Sequence, residues 1–292
     1  MEPDRHRDAA RRVTPEHVWA RERLRLTALA YRITGSWHDA EEAAADAGAK
    51  LLTAHDVHSP EAWLRRVTVR AAIDLARRSE RRKESYIGPW LPEPVATDAL
   101  PQDTAEDRAM LGLGLLRIIQ ELTPVDRAVF VLREAFAVPY ADIAACVELS
   151  DAACRQIVSR ARRRLSGLDE PSGHAPQQLN DLVAAITSGD VTAAVRLISE
   201  DCVLWTDGGG TTKSALRPIV GADKVARFLI GTARKAGPLN PVPLRINGGV
   251  GVWVETPVGP RLLVIEQSGG RISGVQLHGN RAKLAHVAEP RP

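Results

Sequence analysis

Residues 122–165 read LTPVDRAVFVLREAFAVPYADIAACVELSDAACRQIVSRARRRL, and the punctuation of this stretch decides the fold. Thr123 suits an N-cap and Pro124 the first helical position, where a proline forfeits only an N–H that the helix cannot use. Val125, Val129 and Leu132 follow at helical spacing. A short helix over VPYADIAACV, a turn at about 147–150 and a second helix capped by Ser150, with Asp151 favourable to its dipole, predict a helix-turn-helix. The second helix divides into two faces. Cys154, Ile157, Val158, Ala161 and Leu165 share one apolar arc, while Arg155, Ser159, Arg162 and Arg163 lie on another with Gln156 at its edge. Arginine and glutamine make bidentate contacts with purine edges, and the remaining arginines, Arg160 among them, suit phosphates. A generic amphipathic helix shows the same split, but the turn before it and the RARRR tail favour DNA. Glu148 is the anomaly, because that turn more comfortably holds a glycine.

Upstream, residues 15–82 carry a helical pattern in three segments. The first places Trp19, Leu26, Leu29, Ala30 and Ile33 to one side and stops at Gly35, suited to a left-handed cap. The second starts near His38–Asp39. The third starts at Ser59 and Pro60 as cap and first-turn proline. On its wheel Leu64, Val67, Ala71 and Leu75 form a packing stripe. Arg66, Arg70, Arg77 and Arg81 form a separate face that runs, with Arg78, into RRSERRK. A solvated charged face is the plainer interpretation, but the missing balancing acids favour phosphate contact.

Between these blocks lies YIGPWLPEP, residues 86–94, whose three prolines and one glycine forbid helix and leave an extended strip. It carries Trp90, Leu91 and Tyr86, which a solvated tether normally avoids. Aromatic residues make up only 4% of the chain, so the tryptophan in this strip is drawn from a small pool. GLDEPSGHAPQ forms a second boundary. Beyond it come a helix at about 177–188, another at about 191–198, and the strand-like runs CVLWTD, GGVGVWVET, RLLVIEQ and ISGVQLH. Helices first and strands later predict an α+β domain.

With 292 residues, 44% of them hydrophobic, each of several domains can bury a core. Residues 1–170 hold about 26 Lys+Arg against about 27 Asp+Glu, so a nucleic-acid surface must be a local cluster. Of the three cysteines, Cys146 and Cys154 lack metal-ligand spacing and are expected to pack. No cofactor is expected. The start, MEPDRHRDAARR, has no apolar h-region, and no run approaches the ~18 apolar residues of a membrane span, so a cytoplasmic location is expected.

The segment LTALAYRITGSWHDAEEAAADA resembles the core-binding region 2 of extracytoplasmic-function sigma factors, and residues 122–165 resemble their region 4. YIGPWLPEP and TDGGGTTKSALRPIVGADKVARFLIG resemble the sigma J-like subgroup, which carries a fused SnoaL-like C-terminal domain. The resemblance implies a multidomain fold: two all-α sigma domains followed by an α+β SnoaL-like cone. Its expected organisation is a flexible N-terminus at 1–15, region 2 at 16–83, an extended linker at 84–104 and region 4 at 105–168. A linker at 169–176, a SnoaL-like domain at 177–288 and a tail at 289–292 complete it.

The implied function is transcription initiation with RNA polymerase core and promoter DNA as partners, regulated in cis by the fused domain. Asp39, Glu42, Asp46 and Leu51 would meet the polymerase, Arg66–Arg81 would lie near the promoter, and Arg155–Arg163 would enter the groove. The chain departs from the family's pattern at Gly48, where a large aromatic is expected, and at Ala49, where leucine is common. Tyr86, Trp90, Leu91, Pro92, Glu93 and Pro94 would dock on the C-terminal domain through Asp207, Gly208, Gly209, Gly210 and Lys213. DGGGTTKS is not a Walker A loop, since Thr212 precedes Lys213 where glycine is required. The family's lysine after the glycines is Thr211 here, and an extended backbone returns Lys213 to the same face.

Two rival functions stand beside this one. SnoaL-like folds occur in cyclases and isomerases, where an Asp/His pair such as Asp207 and His278 shuttles protons; a pocket that senses a small ligand is the related alternative. A ligand-responsive repressor using the same helix-turn-helix predicts a stable dimer and a palindromic site.

Overall fold

A computed structural model describes residues 14–100, 112–165, 176–210 and 212–287, with the side chains of Ala99 and Leu165 excepted. Residues 1–13 of the expected N-terminal arm, 101–104 of the first linker, 105–111, 166–175 with all but Pro176 of the second linker, Thr211 and 288–292 with the expected tail lie outside the described residues. Thr14 and Pro15, expected in the arm, are instead the cap and first residue of a helix, and Pro176 is the first residue of another.

The described residues begin with three helices: α1 (Pro15–Thr34), α2 (Trp37–Thr53) and α3 (Pro60–Lys83). Thr14 caps α1 through the His17 N–H, and Gly35, as the sequence predicts, ends it in the left-handed region with its N–H on Tyr31 O. Helix α2 starts at Trp37, capped by the Ser36 hydroxyl accepting from Asp39 N at 3.1 Å. Ser59 sits at the cap position of α3 but makes no side-chain capping bond, so Pro60 alone carries that signal. The inward face of α3 is broader than the expected stripe and rotated from it. Leu64 and Leu75 are buried, but Val67 and Ala71 are half-buried, and Thr68, Val69, Ala72, Ile73 and Ala76 complete the packed face.

Gly48 has a local explanation. A Cβ placed there would stand 2.7 Å from the Trp19 ring, so the Trp19 ring of α1 fills the space that a side chain at this position of α2 would need. Alanine favours a helix over glycine by about 1 kcal/mol, yet the clash costs about 1–3 kcal/mol. Gly48→Ala is therefore expected to lower the urea midpoint. A raised midpoint would mean that Trp19 moves aside freely.

After the linker come α4 (Leu113–Ile119), α5 (Pro124–Glu134), α6 (Tyr140–Val147) and α7 (Asp151–Leu165). Thr123 caps α5, and its Oγ1 accepts from Asp126 N at 3.2 Å. The two helical blocks share one core that runs from Leu29 and Trp37 through Val95 and Leu116 to Val158, and reaches Leu284 and Val287. At its centre Arg127 is 1% exposed. Its guanidinium donates to the carbonyl oxygens of Ile33 (2.7 Å), Leu122 (2.9 Å), Ile119 and Gln120, and pairs with Glu80. Burial pulls its pKa down to about 10. One side chain thereby ties the end of α1 and the end of α3 to the loop before α5.

The last block has α8 (Pro176–Ser188), α9 (Val191–Leu197) and α10 (Ala222–Ala236) on one face of a mixed six-stranded sheet. Its strands are β1 (Ile198–Asp207), β2 (Ile219–Val220), β3 (Val242–Ile246), β4 (Gly249–Val254), β5 (Arg261–Ser268) and β6 (Arg271–His278), in the order β2-β1-β6-β5-β4-β3. Among the described residues only β1 and β6 pair in parallel, with Trp205 beside Gln276 and Asp207 beside His278. Helix α10 and strand β3 were not expected from sequence pattern. β3 contains Pro243, tolerated because the strand lies at the sheet edge. The sheet's other face meets the linker and α4.

Candidate nucleic-acid interface and interdomain joint

Helix α7 is set by its two ends. Val147 closes α6, Glu148 takes the left-handed conformation (φ 59°, ψ 43°), and the Ser150 hydroxyl accepts from Ala153 N at 3.2 Å to start α7. Cys154, Ile157, Val158 and Ala161 pack inward, and the side chain of Leu165 lies outside the described residues. Arg155, Gln156, Ser159, Arg160, Arg162 and Arg163 are exposed. Arg155 lies 5.0 Å above the Tyr140 ring, which also meets Arg133 at 4.8 Å, and pairs with Asp151 at 3.8 Å. Arg162 is chelated by Glu134 at 2.9 and 3.2 Å.

On α3, Arg78 and Arg81 are exposed, Arg77 pairs with Asp74 at 3.1 Å, and Arg66 is half-buried beside the α2–α3 loop. Arg70 points at α6: it donates to Cys146 O at 3.0 Å and Ala145 O at 3.3 Å and pairs with Glu148 at 2.9 Å. On the acidic helix, Glu42 and Asp46 are exposed, with Asp46 tied to Lys50 at 2.7 Å. Two expectations there need correction. Leu51 is 2% exposed and packs with Val18, Leu26 and Leu64, so it is a core residue and presents no surface to a polymerase. Asp39 turns inward toward Arg82 at 3.5 Å, and burial raises its pKa.

The linker is stitched to both sides. Toward α1 and α2, the Glu93 carboxylate accepts from Trp37 N (2.7 Å) and His38 N (3.3 Å), placing an anion on the N-terminus of α2. Glu93 N donates to Gly35 O at 2.8 Å, and Tyr31 Oη donates to Glu93 O at 2.5 Å. Toward the sheet, Asp207 is the hub. Its carboxylate accepts from the Tyr86 hydroxyl, from Leu91 N at 3.0 Å and from Gly209 N at 3.2 Å, and pairs with Lys283 at 2.7 Å. Lys283 also donates to Leu91 O at 2.7 Å and lies 3.6 Å from the Trp90 ring centre, which stacks edge-on against Tyr86. Burial lowers the Lys283 pKa although Asp207 opposes it, and it raises that of Tyr86. Leu91, Pro92 and Pro94 are buried.

The glycines of the loop permit this closeness. A Cβ on Gly208 would fall 1.8 Å from Ser214 Oγ, and Gly209, at φ 65°, lies against Asn280. Lys213 is exposed; the cation on Asp207 is Lys283, from beyond the last strand. Sequence reasoning also missed Asn247, which bridges Val95 N (2.9 Å) and Tyr31 Oη (2.8 Å). It missed Arg117 too, whose guanidinium grips Glu266 at 2.8 and 2.9 Å, 3.8 Å from the Trp205 ring centre, while Gln276 also donates to Glu266. A lone arginine inside the apolar run LGLLRII was the available signal.

His278 is wholly buried, its pKa pushed down to about 4 by desolvation, and neither ring nitrogen has a hydrogen-bond partner among the described residues. It is therefore not hydrogen-bonded to Asp207, whose oxygens are taken by the linker and Lys283. Cys146, Cys154 and Cys202 are buried free thiols. Among the described residues no cluster of His, Cys, Asp or Glu is arranged to hold a metal, and no helix is long and apolar enough to cross a membrane.

Comparisons with known proteins agree with this layout. Residues 18–82 match the family "Sigma-70 region 2" and residues 113–165 match "Sigma-70, region 4". The chain is 35% identical to the ECF RNA polymerase sigma factor SigJ of Mycobacterium tuberculosis, over 79% of this chain and 78% of that protein. It is 29% identical to a probable ECF sigma factor, SigI, of the same organism, over 73% and 75%. The crystal structure of M. tuberculosis SigJ superposes with a TM-score of 0.78 at 29% identity, covering 94% of this chain and 99% of that one.

Proposed function

The chain belongs to the ECF family of RNA polymerase sigma factors and directs polymerase core to promoters for transcription initiation, and from that premise we propose that its α+β domain governs initiation in cis by clasping the linker. The observation that carries this is the Asp207 hub, where one buried carboxylate holds a side chain and a main-chain N–H of the strip that joins region 2 to region 4. Glu93 fixes the same strip to α2, and Arg117 fixes α4 to the sheet. The clasp therefore sets the spacing of two DNA-contacting surfaces. In this reading Arg155, Gln156, Ser159, Arg160 and Arg163 meet the upstream promoter element, Arg66, Arg77, Arg78 and Arg81 the melted one, and Glu42 and Asp46 the polymerase. Asp207 acts as a structural anchor, since its oxygens are occupied and His278 does not bond to it. The factor works in the cytoplasm, beside its polymerase.

The test is Trp90→Ala. Half-burial of the ring and its stacking between Tyr86 and Lys283 make its loss worth about 2 kcal/mol of docking. Limited proteolysis should cut the linker at least about tenfold faster, since a 1.4 kcal/mol change is tenfold in an opening equilibrium. Run-off transcription with core polymerase should change in yield. An unchanged cleavage rate and unchanged yield would contradict the clasp.

A further inference from the structure

Glu148 occupies a left-handed position that favours glycine, and the helix-turn-helix alone gives no reason for a charged residue there. Its carboxylate reaches out of region 4 to Arg70 of region 2, 2.9 Å away. The same guanidinium donates to the Ala145 and Cys146 carbonyls at the C-terminal end of α6, the negative pole of that helix. Along the same side of α3, Asp142 of α6 forms one wall of a groove of about 450 Å³ whose opposite wall holds Arg65 and Arg66. Asp142 and Glu148, the acids of α6 and its cap, thus face a row of region 2 arginines.

We propose that α6 is an internal stand-in for DNA: Glu148 and the α6 carbonyls occupy on Arg70 the place of a promoter phosphate, latching the helix-turn-helix over the DNA-contacting face of region 2 until DNA displaces it. This rests on the reading that α3 meets DNA. The chemistry fits, because a guanidinium ringed by three anionic or carbonyl oxygens is satisfied as a phosphate would satisfy it. The strength fits a reversible latch. Arg70 and Glu148 side chains are 46% and 75% exposed, and an exposed pair is weak enough for a phosphate to replace.

A double-mutant cycle on the full chain tests it, with affinity for a fluorescein-labelled fork-junction duplex read by anisotropy across a salt series and the melting midpoint monitored for folding. Glu148→Gln should tighten binding roughly two- to fivefold and steepen the log–log salt slope by about one, as Arg70 becomes free to displace a counterion. In an Arg70→Gln background the same change should move affinity less than about twofold. Equal gains in both backgrounds would mean that the lost acid acts at a distance, and no gain in either would mean no latch; both overturn the proposal. If Arg70→Gln leaves the affinity of the Glu148→Gln protein unchanged, α3 does not meet DNA at Arg70, and that reading falls together with the latch.

Discussion

Asp207→Ala is expected to lower the unfolding free energy by about 3–5 kcal/mol, because it strands the buried Lys283 ammonium without its anion. Lys283 is 4% exposed and Asp207 1%, so water cannot replace the lost partner. The remaining ligands of the ammonium are one carbonyl, Leu91 O, and two ring faces. The substitution also orphans the Tyr86 hydroxyl and Leu91 N on the linker, so the protein should lose linker docking as well as stability. Urea unfolding followed by tryptophan fluorescence reads the first effect and linker proteolysis the second. Adding Lys283→Met to Asp207→Ala should recover most of the stability, since a buried pair replaced on both sides by packed apolar groups is close to neutral. It should not recover protection of the linker. A single variant as stable as the parent would remove Asp207 from the centre of the joint.

The second large effect lies on the reading helix. Arg155→Gln, Arg160→Gln and Arg163→Gln together should weaken promoter binding by the holoenzyme at least roughly a hundredfold, since each good base-edge or phosphate contact there is worth about 1–3 kcal/mol. All three side chains are exposed and none belongs to the core that seats α7, so the melting midpoint should stay put. Arg162→Gln is the contrast. Its guanidinium is chelated by Glu134, so its loss should cost less than about tenfold. A triple variant that binds as the parent does would place the recognition surface elsewhere.

Much of this architecture is written in short-range signals. Thr123–Pro124, Ser150 and Gly35 each fix a helix end through a bond spanning three or four residues, and a linear sequence displays such spacings. The alternation of Arg155 and Ser159 with Cys154, Val158 and Ala161 is equally local, and so the division of α7 into an exposed arginine face and a buried face is visible in the amino-acid order alone. The joint is half visible: the resemblance carried by YIGPWLPEP and DGGGTTKS implies that strip and loop meet, and Asp207 does hold Tyr86 and Leu91 N. Its partner cation is not, because Lys283 lies 76 positions from Asp207 and reaches it only through the turn after β6. The same limit explains the expected cation at Lys213, a neighbour in sequence that is exposed in the fold. Leu51 was misplaced because its inward orientation depends on Leu64 and Val18 from two other helices. The bare Gly48 is explained by Trp19 of another helix, a contact that single-helix periodicity cannot register.

Run-off transcription from promoter DNA, with core polymerase and this protein as the only initiation factor, tests the central claim most directly. The parent chain should yield one discrete transcript, and the Arg155/Arg160/Arg163 triple variant, folded and at equal concentration, should yield essentially none. Equal transcript from the two proteins would contradict the account.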